Sequence, residues 1–257
     1  LFAVFDGHGS DKVAIHCAER LGTVVLGHLN AGKAPLEALR QSFLDLSVEV
    51  APFAINMGCT VVAALLEGDH IHVANCGDTR AILCSIGGLA ERLTLDHKPS
   101  LPDEIKRIEE LGGFVRNGRV QGQLAVSRAL GDANFAPFIS PEPYLRSAQL
   151  TEEHTHVILA CDGLWDVFPD SLAGQIVCNQ SEPLQAAAML RDRAFASGST
   201  DNISVVVLEL GSGVRNCKPS GKSGSVGNST EPALSKDNKQ TSPYSSFEDL
   251  SEAVTKK

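Results

Sequence analysis

Phe2-Ala3-Val4-Phe5-Asp6-Gly7-His8-Gly9 is an apolar strand that stops at an acid, two glycines and a histidine. The pattern recurs far along the chain as Val157-Ile158-Leu159-Ala160-Cys161-Asp162-Gly163. A third acid, Asp201 in Thr200-Asp201-Asn202, directly precedes the apolar run Ile203-Ser204-Val205-Val206-Val207. Carboxylates at the ends of buried strands are costly unless their charge is compensated, and a hard divalent cation bound by oxygen is the usual compensation. Three such ends point to an oxygen-ligand metal site built on a sheet-rich fold.

Working outward, helical spacing of Val13, Cys17, Leu21 and Val24 predicts a helix over 11–29, with Ser10 as its N-cap. Leu36, Leu39, Phe43 and Leu46 predict a second over 35–50, with Pro35 in its first turn. Strands follow at 59–66, 70–76, 81–85 and 89–93, joined by the short turns Glu67-Gly68-Asp69, Gly77-Asp78-Thr79 and Gly87-Gly88. Connections this short imply antiparallel pairing and argue against a doubly wound parallel sheet. Further helices are expected over 102–111, 170–178 and 183–196, and strands over 157–161 and 203–210. The irregular stretch 115–143, rich in Gly, Pro and Arg, has the length of a functional loop. Sheets inside and helices outside are the layered arrangement these elements imply. Residues 1–210 form one folded domain on this reading, and 211–257, rich in Ser, Lys and Gly, a disordered tail.

Bulk properties narrow the function. Acidic residues outnumber basic ones by 31 to 22 in 257 residues, so a nucleic-acid backbone is not the expected ligand. No apolar stretch approaches the roughly 20 residues needed to cross a bilayer, so no membrane partner is expected. The seven cysteines contain no Cys-x-x-Cys pair and sit mostly in apolar runs. That pattern suits reduced thiols in an intracellular compartment, the cytoplasm or nucleus, and not a zinc-thiolate site.

Asp6 can bridge cations, Gly7 leaves a carbonyl free as a ligand, and His8 points toward general acid catalysis. The plainer alternative is a turn in which Asp6 caps the following helix. Asp201 alone is turn chemistry, and Asp96 in Asp96-His97-Lys98 alone is a solvated loop. Gly77-Asp78-Thr79-Arg80 reads as a hairpin turn in preference to a metal contact, and Arg128 as a loop anchor through a salt bridge. His70 and His72 share a strand face but lack a third ligand, and Trp165 reads as core or site wall.

The ordered set is more specific than any member. Phe5-Asp6-Gly7-His8-Gly9, Gly58-Cys59-Thr60, Ala74-Asn75-Cys76-Gly77-Asp78-Thr79-Arg80 and Leu95-Asp96-His97-Lys98-Pro99 are followed by Glu104, Arg107-Ile108 and Gly112-Gly113. Then come Arg119-Val120, Gly122, Leu124-Ala125-Val126-Ser127-Arg128-Ala129-Leu130-Gly131-Asp132, Pro141-Glu142-Pro143, Cys161-Asp162-Gly163-Leu164-Trp165-Asp166-Val167 and Asp201-Asn202-Ile203. Over about residues 1–210 this resembles the metal-dependent serine/threonine protein phosphatases of type 2C.

The resemblance implies an α+β fold: a four-layer α-β-β-α sandwich with antiparallel sheets. It implies two Mg²⁺ or Mn²⁺ ions, with Asp6 bridging them, Gly7 giving a carbonyl, Asp162 and Asp201 binding one of them, and Asp96 at a third, weaker site. It also implies hydrolysis of phosphoserine and phosphothreonine by a metal-activated water, His8 as general acid, phosphorylated proteins as substrates and a monomer. A catalytically impaired relative that binds phosphoproteins is the alternative. Family members carry, upstream of the Asp-Gly-His-Gly stretch, an arginine that grips phosphate and a Glu-Asp pair; the sequence starts after both. The expectation is therefore a domain incomplete at its N-terminus, with an unpaired sheet edge, poor stability and weak activity.

Overall fold

The structure is a computed structural model, and it describes residues 1–211. The tail over 211–257 lies, apart from Gly211, outside the described residues. The chain opens with β1 (Phe2–His8), α1 (Lys12–Asn30), α2 (Pro35–Val50), β2 (Gly58–Glu67), β3 (His70–Cys76), β4 (Arg80–Ser85) and β5 (Ala90–Arg92). Next come α3 (Pro102–Glu110) and the short pieces β6 (Val115–Arg116), β7 (Arg119–Val120) and β8 (Leu130–Gly131). It continues with β9 (Tyr144–Gln149), β10 (His154–Ala160), α4 (Asp162–Trp165), α5 (Asp170–Cys178), α6 (Pro183–Ala196) and β11 (Val205–Glu209).

Two antiparallel sheets carry the domain. One runs β1-β2-β3-β9, with β8 also on β2, and the other β11-β10-β4-β5. Side-chain alternation assigns each strand residue to a layer. On β2, Val61, Ala63 and Leu65 pack with Leu39, Phe43 and Leu46 of α2 and Cys17 and Leu21 of α1. Val62 and Ala64 point the other way, into the inter-sheet core with Val157 and Leu159 of β10 and Leu83 of β4. On the far side Ile82, Cys84, Ile158 and Ala160 pack against Ala173, Val177 and Leu190 of α5 and α6. Three apolar layers between four structural layers are the α-β-β-α sandwich expected from the sequence.

Most element ends agree with the sequence reading to within a few residues. Several features differ. The N-cap of α1 is Asp11, and Ser10 contributes by accepting a bond from the Lys12 amide (3.3 Å). The short strands β6, β7 and β8, the strand β9 and the single turn α4 are not expected from the sequence. β9 mixes half-buried and exposed residues without a regular alternation and, among the described residues, pairs only with β3, so it lacks a strong apolar signal. In the loop 115–143, Val120, Val126, Ala129 and Ile139 form a small core with Ile108 of α3.

Candidate metal and phosphoryl-transfer site

Antiparallel register brings the acids to one end of the sandwich. On β10, Ala160 lies opposite both Arg80 of β4 and Val205 of β11. Asp162 lies just beyond that level, as do Asp78 ahead of β4 and Asp201 ahead of β11. Across the inter-sheet gap, Asp6 sits near the end of β1, opposite Thr60. Carboxylate oxygens of Asp6 and Asp162, with the Cys161 sulfur, all lie within 4.8 Å of one another.

The backbone is shaped to allow this. A side chain on Gly163 would land on the Asn202 carbonyl, so only glycine lets the Asp162 turn approach the Asp201-Asn202 loop. Asp201 accepts a bond from the Asn202 amide at 2.7 Å. The turn carrying Asp78 is braced from below: Asn75 Nδ2 donates to the Gly77 carbonyl (3.2 Å) and the Leu95 carbonyl (2.7 Å).

The charges are unbalanced. Burial, then the charges of Asp201 and Asp78, raise the Asp6 carboxyl above its ordinary range. Burial, then Asp78 and Asp6, raise Asp162 likewise. One Asp162 oxygen, Oδ1, is buried without a hydrogen-bond partner. Lys98 is the cation at hand, with Nζ 2.6 Å from Asp78, 3.6 Å from Asp166 and 4.0 Å from Asp162. Its ammonium is disfavoured by burial, yet Asp78 and the neighbouring acids raise its pKa overall. Repelling carboxylates with an unused oxygen are the donor set of a hard divalent cation.

Asp96 is placed apart from this group. Its two oxygens accept from Nε (3.1 Å) and Nη2 of Arg80, whose Nη1 donates to Asp170 (2.6 Å) and whose guanidinium lies 4.9 Å over the Trp165 ring. Trp165 is buried, and its indole N–H donates to the Ala160 carbonyl at 2.9 Å. Arg128 anchors a loop as anticipated, donating to Glu104 (3.0 Å) and to the Glu142 carbonyl (2.9 Å). Glu142 in turn accepts from Arg40 of α2 (2.9 Å), tying the 115–143 loop to the helical layer.

Sequence reasoning passed over three residues here. Asp78, with a side chain 4% exposed, is a member of the acidic cluster and not merely a turn residue. Lys98 supplies the cluster's own positive charge. Asp132 lies 2.6 Å from His8 Nε2 through Oδ2. Burial opposes a charged His8 ring, but the bond and charge of Asp132, with Asp6 and Asp78, outweigh it and raise its pKa. The motifs containing all three residues were visible; their convergence across more than a hundred residues of chain was not.

Comparison with known proteins agrees with this geometry. The family model described as Protein phosphatase 2C matches residues 1–203. Protein phosphatase 2C homolog 1 of Saccharomyces cerevisiae is 35% identical over 229 residues, covering 81% of each chain. The structure titled as that of a C. elegans sex determining protein superposes with a TM-score of 0.73 at 30% identity, covering 80% of this chain and 55% of that one. The serine-threonine phosphatase 2C of Toxoplasma gondii shares the fold, with a TM-score of 0.69 at 23% identity over 81% of this chain and 84% of its own. Fold, acidic cluster and family match converge: the chain belongs to the protein phosphatase 2C family of metal-dependent serine/threonine protein phosphatases.

Proposed function

We propose that the protein removes phosphate from phosphoserine and phosphothreonine using two Mg²⁺ or Mn²⁺ ions and His8 as general acid. The observation that carries this reading is the Asp6–Asp162 cluster, in which burial and neighbouring acids raise both carboxyls and one buried oxygen has no partner. Asp6, the Gly7 carbonyl, Asp162 and Asp201 would hold the ions. The ions would acidify water into a nucleophile and neutralise charge on the phosphoryl oxygens. Asp96 is the ligand of a third, weaker ion only if its pairing with Arg80 is given up.

His8 follows the bridging acid by two residues and is partly exposed, 30% at the side chain. A protonated ring there can deliver its proton to the departing serine or threonine oxygen, which is a poor leaving group unprotonated. The loop over 115–143, fixed through Arg128 and Glu142, bounds the neighbouring surface and suits substrate selection. Phosphorylated proteins are the substrates and the working unit is a monomer, in the cytoplasm or nucleus.

The expected result is release of inorganic phosphate from a phosphothreonine peptide when Mn²⁺ or Mg²⁺ is added to the full-length protein, and its loss on chelation. Full activity in excess chelator would refute the metal reading. Absent turnover with bound Mn²⁺ demonstrated would leave a phosphoprotein-binding relative instead.

A further inference from the structure

We propose that Asp132 is the positioning residue for His8, holding the ring through Nε2 so that Nδ1 is the nitrogen that gives up the proton. The proposal rests on His8 acting as the general acid.

Three strands meet at one glycine. Gly58 of β2 lies opposite His8 of β1 and opposite Gly131 of β8, so His8 and Asp132 straddle it. A side chain on Gly58 would fall on the Asp132 carboxylate and 2.6 Å from His8 Nε2. The space above Gly58 is therefore the space through which the two side chains meet. Asp132 itself adopts a left-handed backbone, φ 51° and ψ 42°, a conformation costly for most residues. Its amide donates to the Met57 carbonyl (2.9 Å) and its carbonyl accepts from Phe135 (2.8 Å), so the strained residue is pinned on both sides.

The carboxylate is 1% exposed. Its Oδ2 meets His8 and its Oδ1 has no partner. A buried carboxylate with one oxygen unused is unfavourable for stability alone, and a residue needed only to close the β8 turn would turn its oxygens onto backbone amides. Here the one side-chain bond spent is spent on the histidine. A carboxylate can only accept, so Nε2 carries the hydrogen in that bond. A carboxylate on one imidazole nitrogen fixes ring orientation and tautomer and leaves the other nitrogen for chemistry. As the phosphorus–oxygen bond breaks, its electron pair departs on the serine or threonine oxygen, which takes the Nδ1 proton. The ring is left neutral, its Nε2–H still donating to Asp132, and regains a proton at Nδ1 from solvent.

The test compares Asp132→Asn, Asp132→Ala, His8→Gln and the His8→Gln/Asp132→Asn double variant of the full-length protein with saturating Mn²⁺. Each is assayed on a phosphothreonine peptide and on p-nitrophenyl phosphate, whose phenolate leaves without being protonated. Asparagine tolerates the left-handed backbone, so Asp132→Asn separates ring orientation from misfolding. For the Asp132 variants kcat on the peptide is expected to fall by ~10–100-fold with little change in KM, a large share of what a general acid supplies. The loss on p-nitrophenyl phosphate is expected to be at least ~10-fold smaller, and the double variant no slower on the peptide than His8→Gln alone, as for residues acting as a unit. Equal losses on both substrates, a change in KM alone, or multiplying losses in the double variant would overturn the proposal. His8→Gln distinguishes the two levels. If it too loses equally on both substrates, the general-acid reading falls; if only His8→Gln is selective, the role of Asp132 falls alone.

Discussion

Asp162→Asn is expected to abolish turnover and, in chelator, to make the protein more heat-stable. The two effects share one cause. Asp162 is pushed up by burial and by Asp78 and Asp6, so folding without a cation forces carboxylates together that water would otherwise separate. A carboxyl raised on folding holds its proton longer in the native state than in the unfolded chain. Stability therefore falls as pH rises above the ordinary carboxylate range, and the penalty is largest once the group is ionised. An amide removes that penalty, so the melting temperature in chelator should rise near neutral pH, on the order of 2–4 °C per kcal/mol relieved. Below the ordinary carboxylate range the gain should vanish. The same substitution removes a ligand oxygen, and cation affinity should drop by at least ~100-fold, beyond the usual effect of perturbing a ligand's supporting bond. Calorimetry in chelator and in Mn²⁺, with a Mn²⁺ titration, reads all three quantities. Unchanged affinity and rate would remove Asp162 from the site; a lower melting temperature in chelator would show that carboxylate repulsion is absent.

Glu104→Gln is expected to be the most damaging single change outside the metal cluster. Glu104 is 3% exposed at its side chain and accepts from Arg107 (2.9 Å) and Arg128 (2.5 Å). Burial alone would raise its carboxyl, but the bonds from Arg128, Arg107 and Ser127 and the charge of Arg128 hold it at about 2. An amide leaves two part-buried guanidiniums facing each other without a counter-charge. Breaking a buried pair costs about 3–5 kcal/mol, and partial solvation of both arginines favours about 3. For a domain of this size that is a fall of roughly 6–12 °C in melting temperature at neutral pH. A carboxyl depressed on folding stabilises the fold fully above its unfolded pKa and loses that contribution as pH falls toward its folded value. The gap between wild type and Glu104→Gln should accordingly close between about pH 4.5 and about 2. A gap independent of pH would show that packing, and not the ion pairs, is lost. Because Arg128 also bonds the Glu142 carbonyl, the 115–143 loop should become more susceptible to proteolysis.

Much of the fold was legible because apolar residues repeat with the right period. Val61 to Leu65, Ala81 to Cys84 and Val157 to Ala160 are buried on both faces, and such strands appear as unbroken apolar runs. The Leu39, Phe43 and Leu46 stripe marked α2 for the same reason. β9 was illegible because Tyr144–Gln149 is an edge strand whose arginine, serine and glutamine carry no clear alternation. α4 is one turn long, too short for any period to register.

The site divides along similar lines. Asp6, Asp162 and Asp201 announced themselves as acids adjoining apolar strands, an arrangement with a local energetic cost. Asp78 did not, because Gly77-Asp78-Thr79 is also an ordinary turn and its partner Lys98 lies twenty residues away. Asp96 alone reads as a solvated loop, and its metal role came only from the resemblance; in the fold its oxygens are taken by Arg80 of β4. Asp132 was hidden further still, since its partner His8 lies 124 residues distant. Local cost can be read from a run of residues; long-range compensation requires the fold.

The central claim is that the Asp6–Asp162 cluster is a cation site and not an acidic surface balanced by Lys98. Anomalous diffraction from crystals grown with Mn²⁺ addresses it most directly. Two peaks within bonding distance of carboxylate oxygens, ~2.0–2.3 Å, with Asp6 touching both and Asp162 one, are the predicted result. No Mn²⁺ peak at the cluster in crystals of active protein, with Lys98 still paired to Asp78, would contradict it.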